Sequence, residues 1–326
     1  MRWLWFVLLF WSVLGCTAEK YSLVRPVEYS GMCDASGAAA LDSNLFVVAC
    51  DEDNILRVYR NDQPGGPVKQ FDFSAFLEVE GKFSEADLEG AARIGNRIYW
   101  IGSHGRNRDA KERSNRHRFF ATDLQVVNGG VEMKPVGKPY RDLVEDLLAE
   151  PGLNRFRFAD VAQRAPKEPG ALDIEGLSAT PEGHLLIGFR NPIPQGKALI
   201  IPLLNPDEVI QGRRARLGTP VQLDLGGLGI RDMTYHEGAY LIIAGTFDGG
   251  GESRLYRWAG GSSQPERLTV KHLKRYNPEA ILVFPDKGLK EIQILSDDGN
   301  RPIGGVPGKE VLDPRRQKFR SFWVVD

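Results

Sequence analysis

The sequence predicts an all-β fold: a β-propeller of about five blades, or six, with a short helical insertion, preceded by a signal peptide. Three observations predict it. Apolar runs of five or six residues recur, each bounded by Gly, Asn or Asp, as buried strands are. A small or acidic element stands at the head of each recurrence. The chain of 326 residues holds 36 Gly and 20 Pro, a turn-rich composition that suits a β protein better than a helical one.

The repeat is legible in order. Ser36-Gly37-Ala38-Ala39-Ala40 precedes the run Leu45–Ala49 and its return Ile55–Tyr59. Asp87-Leu88-Glu89-Gly90 precedes Arg97–Ser103, then a long polar loop, then the return Arg118–Asp123. Asp173-Ile174-Glu175-Gly176 precedes His184–Phe189 and returns at Ala198–Leu203. Gly229-Ile230-Arg231-Asp232 precedes Tyr240–Gly245 and returns at Arg254–Trp258. Asn277-Pro278-Glu279-Ala280 precedes Glu291–Ser296 and returns at Phe319–Val325. Aligned on the Gly or acid, the units start near 37, 90, 176, 232 and 279. Propeller blades repeat at about 40 to 50 residues, so the wide gap between the second and third units holds an insertion or a cryptic blade. Tyr140–Glu150 reads as a short amphipathic helix with Leu143, Leu147 and Leu148 on one face, ended by Pro151-Gly152, which favours an insertion. Such units cannot bury both sheet faces alone; stacked radially they can, and a closed ring leaves only short edges. Tyr21–Tyr29 and Phe319–Val325 both read as strands that could close the ring. A sandwich would not explain five similar units, and a β-helix has shorter repeats.

The organisation expected is a signal peptide over 1–15, a tether and ring-closing strand over 16–29, and a propeller domain over 30–326. Trp3–Leu14 is an apolar run behind Met1-Arg2, too short to span a bilayer but suited to a signal-peptide core. It ends in Val13-Leu14-Gly15-Cys16, which is similar to a bacterial lipobox, although Leu14 sits where a smaller residue is commoner. Cys16 is therefore the candidate lipidation site; ordinary secretion is the alternative. Thr17 leans to the outer membrane, so the expected location is the bacterial cell envelope, periplasmic and membrane-anchored through lipid. Cys33 and Cys50 remain, and an oxidising periplasm would let them pair; two separate buried thiols are the competing reading. Lys and Arg (42) nearly balance Asp and Glu (43), which gives no electrostatic reason to expect nucleic acid. A monomer is expected.

The segments Asp87-Leu88-Glu89-Gly90 and Asp173-Ile174-Glu175-Gly176, with Trp100-Ile101-Gly102-Ser103-His104-Gly105-Arg106, resemble a bacterial propeller family catalogued as domain of unknown function 3616. The likeness covers roughly residues 30 to 325. More distantly, the chain looks like phytase-like esterase propellers. The resemblance implies a fold and an extracytoplasmic location but no activity, because function does not follow from fold.

The acids at the unit heads would converge at one end of the central channel. Asp87, Glu89, Asp173, Glu175, Asp232 and Glu279 are the candidate metal ligands. Hard oxygen donors from separate blades suit Ca²⁺, the expected cofactor if there is one. The five His are dispersed, which disfavours zinc. The competing reading makes the acids structural latches that cap turns or pair with Arg93, Arg190 or Arg231 of a neighbouring blade. His104 and Arg106 are the candidate catalytic pair, and Arg190, Asn191 and Arg231 the candidate ligand-binding residues, since an arginine fork suits an anionic small molecule. Arg106–Arg118 carries six basic residues and reads as an exposed loop that is either merely solvated or engages an anion. No Gly-x-Ser-x-Gly elbow, Walker loop or dinucleotide fingerprint occurs. Three functions follow: a module binding an anionic ligand or an envelope protein, a Ca²⁺-dependent phosphoester or ester hydrolase, and a structural envelope protein.

Overall fold

The computed structural model describes residues 20–127 and 130–325. Cys16 and the apolar run before it lie outside the described residues. Strand β1 (Lys20–Ser30) opens the described chain. Four-stranded antiparallel units follow. The first is β2 (Ala38–Ala40), β3 (Leu45–Val48), β4 (Ile55–Arg60) and β5 (Lys69–Asp72). The second is β6 (Leu88–Ile94), β7 (Arg97–Gly102), β8 (Phe119–Val127) and β9 (Gly130–Tyr140). The third is β10 (Asp173–Ala179), β11 (Leu185–Asn191), β12 (Ala198–Leu203) and β13 (Val221–Leu223). The fourth is β14 (Gly229–His236), β15 (Ala239–Gly245), β16 (Arg254–Trp258) and β17 (Glu266–Val270). The last combines β18 (Pro278–Val283), β19 (Glu291–Ser296) and β22 (Lys318–Val325) with β1, while β20 (Pro302–Ile303) and β21 (Val306–Pro307) form a small hairpin.

The two ends of the described chain meet in that last unit. Strand β1 pairs antiparallel with β22 from Ser22↔Val325 to Ser30↔Lys318. Its first two residues also pair in parallel with β17, which joins the fourth and last units into one eight-stranded sheet.

The first strands of the units, β2, β6, β10, β14 and β18, touch one another in a ring. Between neighbouring units lie apolar cores. Trp100 and Phe120 pack with Leu56 and Val58, and Ile101 and Phe119 pack with Ile187 and Leu199. Ile200 packs with Ile242, and Ile243 with Ile294. Tyr29, Phe319 and Trp323 pack with Phe46 and Tyr59, which closes the ring. The second strands are buried on both faces and so read as unbroken apolar runs; β15 is buried along its whole length. An outermost strand such as β5, Lys69–Asp72, is polar and mostly exposed, as an edge should be. The molecule is an all-β propeller.

The wide gap between the second and third units holds no strand. It carries α2 (Leu143–Ala149), which follows the single-turn α1 (Ser74–Leu77) in chain order, then a 3₁₀ turn over Pro151–Phe156 and α3 (Phe158–Val161). Leu143, Val144 and Leu147 of α2 are buried against the second and third units, but Leu148 is 44 % exposed. The expected Leu148 contact is corrected: the helix is two turns long, and its buried stripe takes Val144 instead. No helix among the described residues is long and apolar enough to cross a membrane.

Candidate functional site

The Glu89-Gly90 and Glu175-Gly176 pairs at the heads of the second and third units are structural devices. In the second unit Leu88 pairs with Gly102 and Gly90 with Ile101, so Glu89 is an unpaired bulge residue. The same irregularity leaves Glu175, Arg231 and Glu279 unpaired in β10, β14 and β18. A bulge re-aims its side chain, and repetition puts four charged side chains on one level around the channel. The glycine that follows allows close approach of the inner strands. A Cβ on Gly37 would lie 2.7 Å from the backbone of Gly90, and one on Gly90 would lie 3.0 Å from the carbonyl of Glu175.

Ligand-capable oxygens of Glu89, Glu175 and Glu279 lie within 4.8 Å of one another, as do those of Asp51, Asp87 and Glu89. Above them opens a cavity of about 450 Å³. It is lined by the carboxylates Asp51, Asp87, Glu89, Asp173 and Glu175 with Arg190, and by the exposed Arg108, Lys167, Glu168 and Lys309. Arg116 Nη1 pairs with Asp87 Oδ2 at 2.9 Å. Arg190 Nη1 binds Glu175 and stands 3.8 Å from Asp173 Oδ2. Arg231 binds Glu279 and lies 3.5 Å from Glu175 Oε2. Glu89 makes no hydrogen bond or ion pair among the described residues. Glu175 Oε2 and Glu279 Oε2 are buried and accept no hydrogen bond of good geometry, although Arg231 lies beside both. Burial, then the charges of Asp87, Glu175, Asp51 and Asp173, push the Glu89 carboxyl well up. Burial is also the first cause at Asp51, Asp173 and Glu279, all held well above the usual carboxylate range. Too many carboxylates share too few cations here, a pattern that a bound divalent cation relieves.

The structure brings four of the six predicted ligands, Asp87, Glu89, Glu175 and Glu279, into the two carboxylate groups that share Glu89, leaves Asp173 lining the cavity beside them, and removes Asp232. Asp232 Oδ2 accepts a 2.6 Å hydrogen bond from the Ile281 backbone N–H of the next inner strand. It belongs to neither carboxylate group that contains Glu89, because the bulge at Arg231 turns the arginine, not Asp232, toward the channel. Asp232 is a latch between units. Arg93 is a latch of another kind: its Nη1 donates to the carbonyls of Ala40 and Leu41, and no acid pairs with it among the described residues.

His104 does not reach the cavity. It is buried, its Nδ1 lies 2.8 Å from the Gly102 carbonyl, and its ring stacks on His117. Burial lowers it to about 3, with the charge of His117 as the next cause. Arg106 stands at the wall, but its guanidinium is committed to the Ala162 and Ala110 carbonyls and to Gln163. Asn191 is fully buried. Its amide donates to the Pro166 and Glu168 carbonyls and accepts from Gly170 N–H. Arg106 and Asn191 thus clamp the insertion over the cavity rather than bind a ligand. Arg190 and Arg231 are neutralised by the ring carboxylates. Arg118, expected in a solvated loop, is buried and donates to the Leu77 and Glu78 carbonyls at the end of α1. Cys33 and Cys50 are free buried thiols, the second of the two readings that the sequence left open. Cys33 packs under Gly308, while Cys50 Sγ faces Asp51 Oδ1 at 3.9 Å. Burial pushes the Cys33 thiol up to about 12, and raises Cys50 as well.

Asp51, Arg116 and Lys309 escaped the predicted set, as did Asp34, which offers an oxygen within 4.8 Å of those of Asp51 and Glu52. Asp34 stands two residues before Ser36, as Asp87 stands two before Glu89, so register alone points to it. Asp51 sits in the turn after β3, and its oxygens approach those of Asp87 and Glu89; its place after the first unit's apolar run marks it as a polar turn residue but not as a ligand.

No curated protein matches the chain. Among solved structures, the allergen Mala s 1 of Malassezia sympodialis superposes with a TM-score of 0.51 at 11% identity, over 93% of this chain and 96% of that one. A glutaminyl cyclase of Myxococcus xanthus gives 0.48 at 14% identity, over 94% and 99%. A PQQ-bound aldose sugar dehydrogenase of Streptomyces coelicolor gives 0.44 at 11%, over 93% and 98%. The first likeness speaks for fold alone, and the other two carry no argument about this chain. The DUF3616 model, described as a protein of unknown function, matches residues 34–132 and 135–287, most of the propeller, and the chain belongs to that family.

Proposed function

We propose that this protein is a five-bladed, exported ligand-binding propeller, anchored to the envelope through Cys16, that holds a divalent cation such as Ca²⁺ among the carboxylates of its axial cavity. One observation carries the reading: Glu89, Glu175 and Glu279 come from three inner strands, sit at the same bulge and offer oxygens within 4.8 Å of one another. The donor set fits a hard cation, being all oxygen, and two of its buried oxygens accept no hydrogen bond of good geometry although Arg231 lies beside both. The exposed Arg108, Lys167 and Lys309 that line the cavity favour an anionic small molecule beside the carboxylates. A second reading, phosphoester or ester hydrolysis, is favoured by Glu89, an acid with a raised pKa and no partner that faces the cavity.

Calorimetric titration with CaCl₂ tests the first reading. Saturable binding and a rise in melting temperature are expected, both abolished in Glu89→Gln, which keeps shape and loses charge. If neither Ca²⁺, Mg²⁺ nor Mn²⁺ binds to the wild type, the cation site is refuted. A panel of phosphate and carboxylate esters, turned over by the wild type and not by Glu89→Gln, would carry the second reading over the first.

A further inference from the structure

A second cleft, of about 400 Å³, lies on the far side of the insertion from the axial cavity. The segment 164–170 is the wall between them: Ala165–Glu168 line the axial cavity, whereas Arg164, Pro169 and Gly170 line the cleft. Opposite stand Pro192, Ile193 and Pro194 after β11, with Phe247 after β15. The volume suits a small molecule. Its charge is lopsided. Arg155, Arg157 and Arg164 line it, and Asp160 is the one acid.

The arginines differ in what already holds them. Arg157 Nη2 pairs with Asp160 at 2.5 Å, which uses the acid. Arg164 Nη1 donates to the Pro169 carbonyl and keeps its other N–H groups. Arg155 is exposed and makes no hydrogen bond or ion pair among the described residues; its guanidinium lies 4.8 Å over the Phe156 ring. Two guanidinium groups therefore have donors to spare beside an apolar wall of Phe156, Ile193 and Phe247. Asn191, though it borders the cleft, has its amide saturated by the insertion. A carboxylate answers the guanidinium donors, and a flat hydrocarbon body answers the wall.

We propose that this cleft is a second ligand site, independent of the axial cation, that binds a small aromatic carboxylate through Arg155 and Arg164 with its ring against Phe247. The walls are largely set before binding, since Asn191 and Arg106 clamp the insertion on either side.

Ligand-detected NMR and calorimetry with 1-naphthoate test it on the full mature chain, with 1-naphthamide as the neutral probe. Saturable naphthoate binding is expected, at least tenfold weaker in Arg155→Ala with Arg164→Ala, and weaker again in Phe247→Ala. Naphthamide should bind at least tenfold more weakly than naphthoate to the wild type. Glu89→Gln should leave naphthoate binding unchanged, which separates this site from the axial one. Arg155→Lys, which keeps charge but not the two-point fork, guards against a folding defect and should restore part of the affinity. Equal binding to the double variant, loss in Glu89→Gln, or no saturable binding to wild type would each overturn the proposal.

Discussion

Asp232 shows how one residue type takes different work at neighbouring positions. The acid looks in sequence like one more ring carboxylate. In space the bulge at Arg231 turns it into the contact between units, where it accepts from Ile281 N–H. Burial pushes its carboxyl up to about 8, against a value of about 3.9 for an unfolded aspartate. Between those values the folded chain keeps a proton that the unfolded chain has released. Its contribution is therefore complete below pH ~4 and is lost as pH rises through about 8, at up to ~1.4 kcal/mol per pH unit. In Asp232→Asn the carboxamide oxygen can still accept from Ile281, but the titration is gone. Urea midpoints measured from pH 5 to pH 9 should fall more steeply for wild type than for the variant; parallel curves would refute the assignment.

The inner strand is the element in which the sequence was most informative and also most incomplete. Glu-Gly repeats marked the strand starts, and the bulge explains why an acid and a small residue go together there. The order of units, the helical insertion and the convergence of Glu89, Glu175 and Glu279 follow from that spacing. The fates of Arg106, Asn191 and His104 do not, because they depend on where a 32-residue insertion over 141–172 docks, and no local pattern encodes docking. The head of β14 tests the geometry most sharply. A Cβ on Gly229 would stand 1.9 Å from the Arg190 carbonyl oxygen. The backbone that carries Arg190 to Glu175 thus passes directly over this glycine. Gly229→Ala should cost about 3 kcal/mol or more by overpacking, read as a lowered denaturant midpoint, and should weaken Ca²⁺ binding by displacing Arg190. A variant as stable as wild type would show that the strands do not approach so closely.

On the scale of the molecule, closing the ring concentrates charge. Each inner strand is placed by apolar packing between units, and that packing drives Glu89, Glu175 and Glu279 together with Asp51 and Asp87 nearby. Arg116, Arg190 and Arg231 offset part of this charge. The remainder appears as carboxyls with raised pKa at Glu89, Asp51, Asp173 and Glu279. Such groups hold protons that an arriving cation must displace, so cation binding and deprotonation are linked. Apparent Ca²⁺ affinity should therefore rise from pH 5.5 to pH 7.5. Calorimetry at one pH in two buffers of different ionisation enthalpy should give different apparent heats, and their difference counts the protons released. Glu89→Gln, in which binding is abolished, should give no heat beyond dilution in either buffer. Identical heats in both buffers, with an affinity that does not change with pH, would mean that the axial carboxylates are already ionised before the cation arrives. The cation would then replace no protons, and the linkage between the raised carboxyls and cation binding would be refuted.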